Sequence, residues 1–185
     1  WHPVFTPYHP KFDMTNPKVP TRPEGYQTVN PFIITKCAPE LIEFLKVVFD
    51  GTEIPEARTI DTDGLLLHSE VRIGDSILMI ADTKPAWPST PSLLRVYVDN
   101  VERTLERATL RGAEVVTRPT DLFGDLLSRF IDPWDNLWWV YQHTGLPTDW
   151  ESSAPTEEWG IGGTTPELEY IHRTLLEAMV KLARR

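Results

Sequence analysis

The chain has 185 residues, 41% of them hydrophobic and 10% aromatic, enough for one globular unit with a substantial core. A formal charge of −9 and a pI near 5.0, without clustered Lys and Arg, argue against nucleic acid or anionic membrane as partners, because phosphate binding needs such clusters. No apolar run approaches the ~20 residues of a membrane span, no charged segment followed by an apolar one opens the chain, and the single Cys37 leaves no intramolecular disulfide, so a soluble cytoplasmic protein is expected.

Residues 1–27 carry Pro3, Pro7, Pro10, Pro17, Pro20 and Pro23 with little apolar periodicity, which predicts an extended arm. Trp1, Phe5, Tyr8 and Phe12 are its candidate anchors on the body or on a partner subunit. The chain begins at Trp1 rather than Met, which leaves its native start open.

Residues 28–146 read as strand, helix and three strands, stated twice, in modules of about 28–85 and 92–146. In the first, a β-rich run over 29–35 leads to a helix with Leu41, Phe44, Leu45 and Val48 on one face, ending at Gly51. In the second, a run over 93–98 leads to a helix opened by the capping pattern Asp99 to Glu102, with Val101, Leu105 and Ala108 inward, ending at Gly112. Gly51 and Gly112, Glu53 and Glu114, and Ile54 and Val115 are each 61 positions apart. Each half continues into strands joined by a tight turn, around Gly74-Asp75 and around Trp134-Asp135-Asn136. A generic α+β domain with coincidental glycine caps is the competing reading.

Strand alternation assigns faces. Over 93–98, Leu94, Val96 and Val98 form the set that meets the helix, leaving Leu93, Arg95 and Tyr97 on the concave side. Over 65–73, Leu65, Leu67, Ser69, Val71 and Ile73 are mainly apolar, and Leu66, His68, Glu70 and Arg72 alternate with them, facing a polar cavity or solvent.

Residues 147–163 have the composition of a linker. Thr164 to Glu167 is a helix start, and Leu168, Ile171, Leu175, Met179 and Leu182 predict an amphipathic helix over 164–185. Its apolar face needs the body or a second chain, which makes a homodimer the expected state. Lys181, Arg184 and Arg185 at its end suit the helix dipole.

PEGY from Pro23 to Tyr26, HSEVRIGDSILMIAD from His68 to Asp82, the Phe123-Gly124-Asp125 triplet, and the Asp132-Pro133 turn followed by Trp138 and His143 occur in that order. Over about two thirds of the chain this resembles the PhnB-like branch of the vicinal oxygen chelate superfamily, which also holds glyoxalase I, bleomycin-resistance proteins and extradiol dioxygenases. The resemblance implies an α+β fold of paired βαβββ modules forming a cupped mixed sheet, to which the N-terminal arm and C-terminal helix are additions. Metal-dependent relatives take ligands from the first and last strand of each module, and the matching positions are Asn30, Met79, Leu93 and Trp139. Of these only the Asn30 amide oxygen is a donor, so the usual metal site, and any cofactor, is expected to be absent. His68, Glu70 and His143 form an alternative metal set. The chain also departs from the family in Gly124-Asp125-Leu126, where relatives carry Gly-Asp-Arg, and in Asp132 to Asn136, where DPWDN replaces DPFGH. The lost Arg and the added Trp134 and Trp139 suggest a cup rebuilt for an apolar or aromatic ligand.

These readings combine into a metal-independent isomerase, cyclase or lyase acting on a bulky, mainly apolar metabolite. His68 would move the proton, with Glu70 its orienting or acid partner. Arg72 or Arg95 would stabilise negative charge and Tyr97 would donate a hydrogen bond. Asn30, Met79, Leu93, Asp125 and Trp139 would line the cup. Sequestration without turnover, with stacked Trp134, Trp138 or Trp139, is the alternative. A metal-dependent lyase or dioxygenase is the second alternative. Trp138, on the face opposite Trp139, is assigned to the core, and His2, His9 and His172 to the surface.

Overall fold

The computed structural model describes residues 19–145 and 165–184. The first module comprises β1 (Phe32–Thr35), α1 (Ala38–Val48), β2 (Thr52–Glu53), a 3-10 turn (Pro55–Ala57), β3 (Thr59–Ile60), β4 (Leu66–Ile73) and β5 (Ser76–Asp82). The second comprises β6 (Leu93–Tyr97), α2 (Val101–Leu110), β7 (Glu114–Leu122), β8 (Asp125–Ile131) and β9 (Leu137–His143), and the chain ends in α3 (Pro166–Leu182). The sheets share one connectivity, β1-β5-β4-β2 and β6-β9-β8-β7. In each, the first strand runs parallel to the last and the other pairs are antiparallel. Short β2 and β3 both flank β4, as the single long β7 flanks β8. The repeat read from the glycines is therefore a repeat of βαβββ modules.

Local chemistry explains where elements start and stop. β1 begins at Phe32 rather than at the expected Val29, because Pro31 lacks an N–H and Asn30 closes a turn with Gln27 through both side-chain amide atoms. Helix α2 is capped by Asn100, whose Oδ1 accepts from Arg103 N at 2.8 Å, one residue after the expected Asp99. Gly112 ends α2 at a φ of 87°, which glycine adopts freely, but Asp50 takes that left-handed position after α1. Gly51 is needed for another reason: a Cβ there would lie 3.0 Å from Val71 Cγ1 and 3.1 Å from the Leu45 carbonyl oxygen.

Two buried aspartates tie strands together. Asp82 accepts from Ala38 N and Leu66 N, each at 2.7 Å, joining the starts of α1 and β4 to the end of β5. There the strand alternation breaks, and Leu66 enters the core instead of sharing the face of His68. Asp132 accepts four hydrogen bonds, from Trp134 N, Asn136 N, Asn136 Nδ2 and Trp138 Nε1, at 2.8–2.9 Å. Burial pushes its carboxyl up against the pull of those four donors, and Asp135 turns the β8–β9 hairpin at a φ of 71°.

The modules meet through their helix-bearing faces. Phe44 of α1 lies 6.1 Å from Phe130 of β8 and 5.7 Å from Trp134, and Phe49 lies 4.9 Å from Trp138, ring centroid to centroid. These side chains join Ile33, Leu41, Leu78, Leu105 and Val140 in one core that spans both modules. Trp138 is fully buried, as expected, and Trp134, partly buried, packs against this core on the helix-bearing side rather than on the outer face of the sheet. The other face of each sheet points away from the helices.

Helix α3 covers that outer face in the second module. Thr165 caps it, and Ile171, Thr174 and Ala178 are buried against Leu127, Tyr141, Ile131 and Leu137. Burial of an Ile side chain alone contributes about 1.5–3 kcal/mol. The Thr117 and Thr174 hydroxyls lie 2.8 Å apart, Tyr170 Oη accepts from Arg118 N, and Lys181 pairs with Glu114. Met179, expected on the covered face, is 47% exposed, and Thr174 and Ala178 take the buried stripe instead. His172 is exposed, as expected. No described helix is long and apolar enough to cross a membrane. The expected anchors Trp1, Phe5, Tyr8 and Phe12, His2, His9 and the linker 147–163 lie outside the described residues.

Candidate active site

His68, Glu70 and Arg72 share the outer face of β4, brought there by period-two alternation with the buried Ser69 and Val71. Across the sheet, Glu70 pairs with Met79 and Met79 with Phe32, so the carboxylate, the thioether and an aromatic ring form one row. Phe32 meets the His68 ring edge-on at 5.9 Å. The end of the arm supplies a further residue: Tyr26 Oη donates to Glu70 Oε2 at 2.6 Å. His68 Nε2 lies 3.2 Å from Glu70 Oε1, so both oxygens of this carboxylate, 5% exposed, are engaged. The hydrogen bond to Glu70, with desolvation behind it, holds the Tyr26 hydroxyl above the usual tyrosine range. Arg72 donates to the Gly25 carbonyl at 3.1 Å and fixes the arm over the strand. The result is a buried carboxylate between an imidazole and a phenol, beside an apolar strip and near a cation.

The remaining expected site residues lie elsewhere. Leu93, Arg95 and Tyr97 alternate outward on β6, and Trp139 outward on β9, on the outer face of the second sheet. Helices α1 and α2 lie between that face and His68, so within one chain the two sets do not share a cup. Arg95 donates to Tyr97 Oη at 2.6 Å and stacks 3.7 Å over Tyr141. With Tyr97 it borders a cavity of about 320 Å³ at the seam between modules, where Leu78, Leu94 and Trp138 supply apolar walls. Asp125, at the start of β8, pairs with His143 at 2.8 Å, which engages His143 away from His68 and dissolves the alternative metal set. Asn30 spends its amide on Gln27.

Sheet register pairs Met79 with Phe32 and Trp139 with Arg95, and the other two positions carried over, Asn30 and Leu93, lie two residues before those partners. Phe32, Met79, Arg95 and Trp139 offer no anionic oxygen or imidazole, and no three His, Cys, Asp or Glu side chains converge among the described residues. A divalent ion does not fit that donor set.

Sequence reasoning passed over Tyr26, Phe32, Arg129 and Tyr141. Tyr26 lies within the PEGY phrase, and Arg129 interrupts the apolar run of β8, which is the signal each one left.

No family model and no curated protein matches the sequence. Solved structures do match in fold. Protein PA1353 from Pseudomonas aeruginosa aligns with a TM-score of 0.53 and 19% identity, covering 63% of this chain and 98% of that one. A glyoxalase/bleomycin resistance protein/dioxygenase family enzyme from Burkholderia phytofirmans aligns at 0.52 and 19%, covering 64% and 96%. A PhnB protein from Bacillus cereus, described as a 3-demethylubiquinone-9 3-methyltransferase, aligns at 0.52 and 14%, covering 63% and 99%. The chain has the glyoxalase-like fold that its motifs resemble.

Proposed function

We propose that this chain is a vicinal oxygen chelate superfamily protein that binds a bulky, mainly apolar metabolite on the first sheet and moves a proton on it without a metal, as an isomerase, cyclase or lyase. The observation that carries this reading is the hydrogen-bonded chain Tyr26–Glu70–His68 beside Phe32 and Met79. A carboxylate only accepts, so with Glu70 ionised the shared hydrogen lies on His68 Nε2 and Nδ1 is left as an acceptor. Nδ1 then takes a proton from an acidic C–H of the substrate, and Glu70 stabilises the imidazolium as it forms. Arg72, two residues along the same face, offsets negative charge developing on the substrate.

His68→Gln keeps a donor toward Glu70 but has no basic nitrogen. Mass-spectrometric screening of apolar metabolites should find a converted compound, and the variant should bind it while losing about 10²–10⁴-fold in turnover. Unchanged turnover in His68→Gln sinks the proposal. Sequestration is the competing reading, favoured by Phe32, which at 44% exposure offers flat apolar contact that needs no proton transfer. A ligand bound tightly and recovered unchanged from the wild type would establish it. Near-stoichiometric metal in the purified protein would instead favour the metal-dependent reading.

A homodimer belongs to the proposal. Helix α3 covers its own sheet, so the support is now the uncovered strip of Leu93 and Tyr97, 53% and 59% exposed, together with Phe32. A second copy would cover this surface and set the outer face of one sheet against that of the other. Sedimentation equilibrium showing only monomer at micromolar concentration would remove this part.

A further inference from the structure

The outer face of the second sheet carries two arginines in one row. Cross-strand register places Arg95 beside Trp139 and Trp139 beside Arg129, while Tyr97, Tyr141 and Leu127 form the next row. Arg129 is 1% exposed, forms no ion pair among the described residues, and lies 4.0 Å from the centre of the Trp139 ring. Its Nη1 donates to Thr117 Oγ1 at 3.2 Å and to the Ile171 carbonyl of α3 at 2.7 Å. Its Nε and the Trp139 Nε1 are buried with no hydrogen-bond partner. Burial of a guanidinium opposite a neutral carbonyl, with two donors orphaned beside it, is unfavourable. Helix α3 thus covers this cationic, aromatic surface without supplying the anion that the surface calls for.

We infer that this face is a second ligand site, for a flat aromatic anion such as an aryl carboxylate, and that α3 occupies its Arg129 half and is displaced when ligand binds. The carboxylate would bridge toward Arg129 Nε and Trp139 Nε1, the ring would stack on Trp139 and Tyr141, and Arg95 would add charge from the open side. A ligand that binds only the uncovered state shifts the helix off in proportion to that preference. Within one chain helices α1 and α2 separate this face from His68, whereas in the proposed homodimer the two faces would meet; the test therefore follows α3 and naphthoate binding alone, without turnover at His68.

The test pins α3. In a Cys37→Ser background, Thr117→Cys with Thr174→Cys replaces the two hydroxyls that lie 2.8 Å apart by a pair able to form a disulfide. Calorimetry with 2-naphthoate should give roughly tenfold or tighter affinity for the reduced than for the oxidised form of this one variant, reversibly with dithiothreitol. Arg95→Gln, at an exposed position, should weaken naphthoate binding in the reduced form, and neutral 2-naphthalenemethanol should bind far less well than the anion. Equal affinity in the two redox forms, no saturable naphthoate binding to the reduced form, or equal binding of the neutral analogue would each overturn the inference.

Discussion

Tyr26 and Glu70 are 44 residues apart in sequence and joined by a 2.6 Å hydrogen bond, so the end of the arm becomes part of the face that His68 occupies. Neither residue makes a site alone. The carboxylate binds the phenol through one oxygen and the imidazole through the other, which ties the ring of His68 and the end of the arm to the same side chain.

Glu70 raises the Tyr26 ionisation above the ordinary value of 10.0, so the neutral phenol is favoured in the folded state. Its contribution is full below pH 10 and is lost as pH rises through the folded value. Absorbance titration of tyrosinate should show late-titrating tyrosines, because burial also raises Tyr141, and Tyr26→Phe should remove one of those steps. A variant whose late step is unchanged would show that the arm does not hold this position.

The β8–β9 hairpin depends on Asp132. Asp132→Ala leaves two backbone N–H groups, the Asn136 amide and the Trp138 indole without their acceptor, at a cost of about 3–5 kcal/mol. Urea denaturation should place its midpoint well below that of wild type. Asp132→Asn, which keeps one oxygen acceptor, should fall between the two.

Phe44 couples the modules. Phe44→Ala removes the ring that contacts Phe130 and Trp134 and should cost about 3–5 kcal/mol. Because those contacts cross from one module to the other, tryptophan fluorescence and far-ultraviolet circular dichroism should still report one coincident transition. Separate transitions would mean that the modules fold as independent units.

The sequence made the modular plan readable because glycines, capping residues and strand alternation are local signals, and they recur about sixty residues apart. Leu94, Val96 and Val98 against Leu93, Arg95 and Tyr97 follow from alternation alone, as do Trp138 inward and Trp139 outward. Register was harder to read. Met79 pairs with Phe32 and Trp139 with Arg95, two residues from Asn30 and Leu93, and a slip of two preserves the face and so leaves no trace in the pattern. Trp134 misled because a tryptophan in a turn carries no period to place it, and only the tertiary contact with Phe44 does. Whether a cup forms within one chain or across two depends on how the modules pack. The packing of Phe44 and Phe49 on the second sheet sets the helices between the modules, and no local signal announces that arrangement.

In the proposed mechanism Glu70 holds the hydrogen on His68 Nε2 and leaves Nδ1 free to accept a proton. Long-range proton–nitrogen correlation spectra of protein labelled with ¹⁵N-histidine report the tautomer directly, and His68→Gln assigns the signal. In the pH range where the ring signals no longer move, His68 should show a pyrrole-type Nε2 and a pyridine-type Nδ1, and Glu70→Gln should mix the two tautomers. A dominant Nδ1–H tautomer in the wild type, or a spectrum that Glu70→Gln leaves unchanged, would contradict the account.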